Sequence, residues 1–483
     1  MGPEPPPTGA RLDRAAEPRH NAPGSTLILI GLGVFSLLLY LSFALATKGT
    51  SPAVPFFPLR KGIIPGFLIH FYLLFALYLG SVWSVFRGRA DGRAVAITLI
   101  GFSVAFRITL LWTQPVLSDD IYRYVWDGKV QAAGINPYLY PPESPELAHL
   151  RDNVIYPLIN RPWARTIYPP GAQWLFRAMY AAMPNSVVFM KATFVAFDLL
   201  TILLLMRLLR SLGLPPNRAI LYAWHPLPAF ELAGSGHLDG AMIPFALLCL
   251  LFLERQRDAW AGASLGAAAA IKLYPALLIP AVVRRHGPRL LLPAAILVSL
   301  LYLSYVWTAG PRVLGFLPQY LSDPSEQLNS GPGAVLAYGV GLLTPYPTQV
   351  ATGALILALL AVSLRGTRTQ EGNLHATIAE VLLLFGTFVT FAQTVHPWYL
   401  LWVLPLVAIR PSASWLYLSG AIALSYVKYT DEQLRMPLWG GILEYLPFYV
   451  LALVAMQAGK VRRSGQALSA NRSAGGHHNP PPV

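Results

Sequence analysis

The sequence predicts an all-α fold, a polytopic transmembrane bundle of about fourteen spans, some broken or re-entrant, with a partly helical outer loop. Three observations predict it. Hydrophobic residues make up 55% of the 483-residue chain and charged residues only 12%, against about 25% charged in a soluble globular chain. Apolar runs close to the ~20-residue length that crosses a hydrocarbon layer recur along nearly the whole sequence. The basic residues behind the +14 net charge sit mostly in short gaps between those runs, as cytoplasmic loops do. In a soluble chain such a charge would suggest a nucleic-acid partner. Here no basic patch interleaved with aromatics appears, and none is expected. The single cysteine, Cys249, lies inside an apolar run, which excludes an intrachain disulfide or a thiol-based cluster.

Residues 1–24, rich in Pro, Arg and Ala, read as a disordered cytoplasmic tail, and 25–459 as the multi-span membrane domain. The first span, Ser25 to Ala46, ends in a sequence resembling a signal-peptidase site, but its apolar core has the length of an uncleaved anchor. A second span near 63–85 returns to the basic loop Arg87, Arg89, Arg93, and a third near 94–113 leads out again. The long polar stretch 114–185 is therefore expected on the outer side. A span near 186–206 returns to Arg207 and Arg210, and a hairpin over 219–254 carries a glycine-rich tip at 234–240. The apolar stretch 259–283 has basic residues on both flanks yet is too short for two full crossings. Two half-spans meeting near Lys272 reconcile its length with its charges. Spans near 288–308, 348–364, 374–394, 397–410, 412–429 and 441–458 complete the bundle, and 460–483 reads as a disordered cytoplasmic tail in which His477 and His478 belong to a low-complexity end.

The strongest chemical signal opens the outer stretch, Ser118-Asp119-Asp120-Ile121-Tyr122-Arg123-Tyr124-Val125-Trp126-Asp127-Gly128. Ser118 suits a helix N-cap and acids suit a first turn. Capping uses one acid, however, and leaves a second acid and three aromatics to be explained. Helical spacing places Asp120, Arg123, Tyr124 and Asp127 on one face of an amphipathic helix expected to lie on the membrane surface. A partly desolvated carboxylate is a suitable base for a hydroxyl that must lose its proton. Its neighbour would raise its proton affinity or share a metal with it; both roles remain open, and no cofactor is required. The aromatic turns around Asn136, Tyr138 and Tyr168 offer ring faces for sugars or form an interfacial belt. His237 and Asp239 are ionisable residues among glycines at membrane depth, and Lys272 stands amid Ala, Ile and Leu, where it must snorkel, pair or face a cavity. A lipid phosphate is a natural counter-ion for Lys272, with His396 and Arg123 as further candidates to hold it.

Together these motifs resemble the GT-C superfamily of polytopic glycosyltransferases, in particular the polyprenyl-phosphate-mannose-dependent mannosyltransferases and proteins like glycosyltransferase family 87. The resemblance covers roughly 94–410. It lies in Asp119-Asp120 with Tyr122 to Gly128, Gly134 to Tyr138, Tyr168-Pro169-Pro170, His237-Leu238-Asp239-Gly240, Ile271 to Pro275 and His396-Pro397-Trp398-Tyr399. It implies that Asp119 or Asp120 activates the acceptor, that transfer inverts the anomeric carbon, and that the donor is a polyprenyl-phosphate-linked hexose, mannose being commonest. The acceptor would be an envelope glycan or glycolipid. Lys272, His396 and Arg123 would hold the donor phosphate, and Tyr122, Trp126, Asp127, Asn136, Tyr138, Tyr168, His237 and Asp239 would contact sugar or acceptor. Such an enzyme is a multi-pass protein of the cytoplasmic (inner) membrane, bathed in membrane lipids, with its active site on the extracytoplasmic side. Many members place the acidic loop directly after the first span, whereas two further spans precede it here. A lipid-linked-sugar flippase or transporter would also suit broken spans, but would spread polarity through the midplane instead of concentrating it in outer loops.

Overall fold

A computed structural model describes residues 23–48, 56–87, 92–321, 331–365, 374–431 and 435–474. Of the tail expected over 1–24, residues 1–22 lie outside them, as do the last residues, 475–483. Among the described residues the regular structure is helical, with no strand. Eight helices among the described residues are long and apolar enough to cross a membrane: 26–46, 62–87, 93–111, 187–211, 288–320, 347–365, 374–391 and 438–458. The other apolar segments expected as spans are short or broken, at 220–234, 239–254, 258–271, 274–286, 397–409 and 413–430. The last helix continues to Ala474, past the boundary expected at 459.

Three long helices open the chain: α1 (Pro23–Ala46), α2 (Phe56–Arg87) and α3 (Arg93–Leu111). The first packs on the other two. The polar stretch 114–185 then forms α4 (Asp120–Ala132) and α5 (Pro170–Ala182), which pack on each other, with two 3₁₀ turns, Pro145–Leu150 and Tyr156–Leu158, laid against α4. Ten α4 residues, Arg123 and Asp127 included, are buried, because the loop that follows folds back over the face meant for water.

The chain returns through α6 (Val187–Ser211) and rises through short turns to a π-helical segment, Ala229–Gly234. It descends as α7 (Asp239–Glu254), packed on α6, and rises as α8 (Asp258–Ile271), which lies between α7 and the helix Leu291–Ala309. At ~1.5 Å per residue α8 spans only about 21 Å, short of a ~30 Å hydrocarbon core. It stops at Lys272, which is extended (φ −151°, ψ 141°), and the chain resumes as a 3₁₀ turn, Tyr274–Leu278, and the helix Ile279–His286. The break expected at Lys272 is present. Its polarity differs from a phosphate-attracting helix start: Lys272 caps a C-terminal end, whose partial negative charge stabilises the ammonium and adds no pull on an anion.

Charged residues within the spans hold the bundle together. Arg107 of α3 donates to Asp198 Oδ2 of α6 at 2.6 Å and to the Ala223 carbonyl at 2.6 Å, while Tyr222 Oη donates to Asp198 Oδ1 at 2.6 Å. Both ionic side chains are fully buried. Removing one partner of such a pair strands the other, at about 3–5 kcal/mol. Asp198→Ala should therefore lower the thermal midpoint of detergent-extracted protein by several degrees, read by fluorescence-detected melting. An unshifted midpoint would contradict this role.

Candidate active site

The 114–185 loop, the 229–240 hairpin and the Lys272 break meet because small residues let their backbones close up. Gly171 at the start of α5 is so near the end of α8 that a Cβ there would lie 2.7 Å from the Ala270 carbonyl oxygen. Gly236 has φ +78°, and a Cβ on it would lie 2.4 Å from Ile121 Cδ1, beside Asp120. Glycine is required at Gly236 for both its conformation and its contact.

Asp119 and Asp120 stand at the start of α4, partly exposed. The N-cap position belongs to Asp119, not Ser118, whose hydroxyl instead accepts from the Asp120 N–H at 3.3 Å. Asn160 Nδ2 bridges the acids, donating to Oδ1 of each at 2.8 Å. Burial, and then the Asp119 charge, raise the Asp120 pKa to about 6, with the Asn160 hydrogen bond and the Arg161 and Lys272 charges opposing them. The Asp120 side chain still keeps 22% exposure, enough to meet a substrate.

Behind Asp120 lies His237, fully within the interior, with Nδ1 3.7 Å from Asp120 Oδ2. Its ring stacks on Trp398 at 3.8 Å, and His396 stacks on Trp398 at 4.2 Å. Burial first, then the Lys428 and Arg161 charges, hold the His396 pKa well below its ordinary value. On the other flank Lys272 Nζ donates to both Asp239 oxygens, at 2.9 and 2.7 Å, and Trp402 Nε1 donates to Asp239 Oδ1 at 2.7 Å. The rings of Tyr274, Tyr399 and Trp402 surround the ammonium at 5.3–5.7 Å, within reach of cation–π attraction. Beside Trp402 a small apolar pocket is lined by Met242, Ile243, Leu247, Leu278 and Phe385.

The structure thus gathers Asp119, Asp120, His237, Asp239, Lys272 and His396 into one region. It draws other candidates away. Arg123 pairs internally with Asp127 Oδ1 at 2.9 Å, and Thr166 and Gln173 donate to Asp127 Oδ2 at 2.6 and 2.8 Å. That network ties α4 to α5. Trp126 is buried against Tyr156, and Tyr122 is buried as well. Asn136 donates to the Tyr305 carbonyl and Thr308 Oγ1, and Tyr138 Oη donates to the Tyr168 carbonyl. These residues fasten the loop to the helix Leu291–Ala309. Tyr168 is nearer the cluster, edge-on to Tyr124 with ring centres 4.9 Å apart.

Two site residues escaped the sequence reading. Asn160 had no signal, since its role depends on how the loop folds over α4. Glu231 had one: an acid inside the apolar run Leu227–Ala233, expensive in a membrane core. It projects from the π-helical turn, a form frequent at functional sites, with Oε1 accepting from Tyr426 Oη at 2.7 Å and Oε2 3.3 Å from His237 Nε2. Among the described residues no group of three or more His, Cys, Asp or Glu side chains converges as a metal site.

No solved structure matches the chain. A family model described as alpha-(1->6)-mannopyranosyltransferase, N-terminal domain, matches residues 32–286, more than half of the sequence. The matched segment holds Asp119, Asp120, Asn160, Glu231, His237, Asp239 and Lys272, while the aromatic wall of Trp398, Tyr399 and Trp402 comes from beyond it.

Proposed function

As the chain belongs to the alpha-(1->6)-mannopyranosyltransferase family, we propose that this membrane-embedded mannosyltransferase takes its mannosyl group from a polyprenyl-phosphate carrier at the extracytoplasmic face of the cytoplasmic membrane and passes it to an envelope glycan or glycolipid. Asp120 is the general base. It takes the proton of the acceptor hydroxyl as that oxygen's electron pair forms the new bond to the anomeric carbon. The bond from that carbon to the phosphate oxygen breaks on the opposite side, and the configuration inverts. Lys272 receives the lipid phosphate. An ammonium has three N–H donors, and Asp239 takes two of them, which leaves one for a phosphate oxygen.

The observation that supports this reading best is the meeting of a proton-accepting carboxylate of raised pKa with a caged cation at one aromatic-walled site. The test is transfer by the purified chain in lipid nanodiscs, offered mannose on a polyprenyl phosphate or on a nucleotide, with mannoside acceptors and with or without chelator. Transfer from the lipid-linked donor alone is the expected result. Transfer from the nucleotide-linked donor alone would overturn the carrier assignment.

The acid bridge gives a second, finer expectation. The Asn160 hydrogen bond holds the Asp120 pKa down, so Asn160→Ala should raise it further. A base works only when deprotonated, so the acid limb of the kcat/KM profile should move to higher pH. A limb left in place would show that Asn160 does not tune the base.

A further inference from the structure

We infer that Glu231 and Tyr426 are positioning residues that act through His237 as a proton relay behind Asp120. This rests on Asp120 being the base. Four side chains follow one another inward from the rim. Asp120 Oδ2 faces His237 Nδ1 at 3.7 Å, His237 Nε2 faces Glu231 Oε2 at 3.3 Å, and Glu231 Oε1 accepts from Tyr426 Oη at 2.7 Å. Both imidazole nitrogens and Glu231 Oε2 are buried without a hydrogen bond in the free protein. Polar atoms are rarely left so unless they have a use. They already face one another at distances that a small closure on substrate would bring into bonding range. Stacking on Trp398 keeps the ring from turning aside.

The order of groups dictates the roles. On that closure the Glu231 carboxylate, in its ionised form and held by Tyr426, accepts from Nε2–H and so selects the tautomer whose Nδ1 lone pair points at Asp120. When Asp120 has taken the acceptor's proton, Oδ2 passes it to Nδ1 while the Nε2 proton moves to Glu231 Oε2. One proton enters the chain at Asp120 and one is stored on Glu231, and Asp120 is again a carboxylate. The titratable and charged groups around His237 are Asp119 and Asp120 on α4, Arg161 on the loop, Glu231 and Asp239 on the hairpin, Lys272 at the α8 break, and His396 and Lys428 from the C-terminal half.

The test uses the full chain in nanodiscs with polyprenyl-phosphate mannose. In Glu231→Gln the side-chain amide can donate to Nε2, which turns the ring to its Nδ1–H tautomer. That proton then hydrogen-bonds to the Asp120 carboxylate and weakens it as a base. Expected are a kcat at least about tenfold lower, a donor KM within about twofold of wild type, and an acid limb moved to lower pH. Tyr426→Phe should move kcat and the limb in the same directions by less, and it serves as the deciding variant if Glu231→Gln does not fold. Glu231→Asp should restore part of kcat. Wild-type kcat and an unmoved limb in the folded variants would overturn the relay, as would a loss confined to KM. Asp120→Asn run alongside separates the layers. If it abolishes turnover while Glu231→Gln and Tyr426→Phe behave as wild type, only the relay falls. If it turns over normally, the base assignment falls first.

Discussion

Asp120→Asn is expected to reduce kcat for mannosyl transfer by about 10²–10⁴-fold, the range that a positioned general base contributes, while the protein inserts and melts as wild type. The amide keeps the shape of the carboxylate and can still accept from Asn160. What it loses is the capacity to take a proton. The pH dependence should show the same group. Burial and the Asp119 charge raise the Asp120 pKa to about 6, so wild-type kcat/KM should fall as pH drops through that value. Asp119→Asn removes the neighbouring negative charge and should move the limb to lower pH, leaving a working enzyme. If the effects were reversed, with Asp119→Asn inactive and Asp120→Asn active, the base would be the other carboxylate.

The second large effect is expected at Lys272. In Lys272→Met the buried Asp239 carboxylate loses its counter-charge. Breaking a buried pair costs about 3–5 kcal/mol, and the lower end applies because the Lys272 side chain keeps 17% exposure. The same change removes the cation expected to receive the donor phosphate, so donor KM should rise at least about tenfold. The two roles separate in the double variant Lys272→Met with Asp239→Asn. Neutralising both partners removes the stranded charge, and the melting midpoint should recover. The donor KM should not recover. Recovery of both would reduce Lys272 to a structural partner of Asp239.

Much of this architecture was legible before any coordinates. Long apolar runs with basic gaps identified the spans, since lipid leaves a helix few alternatives. Lys272 announced its own break, because an ammonium amid Ala, Ile and Leu needs a partner; Asp239 supplies it. His237 stood out for the same reason, and Asp119 and Asp120 because capping accounts for only one of two adjacent acids. The aromatic and amide candidates did not sort themselves. Trp126 and Tyr138 are as apolar as they are able to stack, and composition alone does not separate a ring that meets a sugar from one that fills a core. Arg123 and Asp127 went inward because Thr166 and Gln173, about forty residues away, complete their hydrogen bonding. Such partners are visible only once the loop is folded. Glu231 could have been found by the rule that found Lys272.

The account requires the acidic rim to open away from the cytoplasm, where a lipid-linked sugar is presented, and one labelling experiment tests that directly. The chain has a single cysteine, Cys249, and it is buried, so an introduced thiol can be read against a low background. Val154 is 68% exposed on the loop that delivers Asn160 to the acids, and Arg210 is exposed at the end of α6. With Val154→Cys and Arg210→Cys in intact cells, a membrane-impermeant maleimide should label position 154 at once and position 210 only after permeabilisation. The opposite pattern would put Asp120 on the cytoplasmic side and contradict transfer from an outward-facing lipid donor.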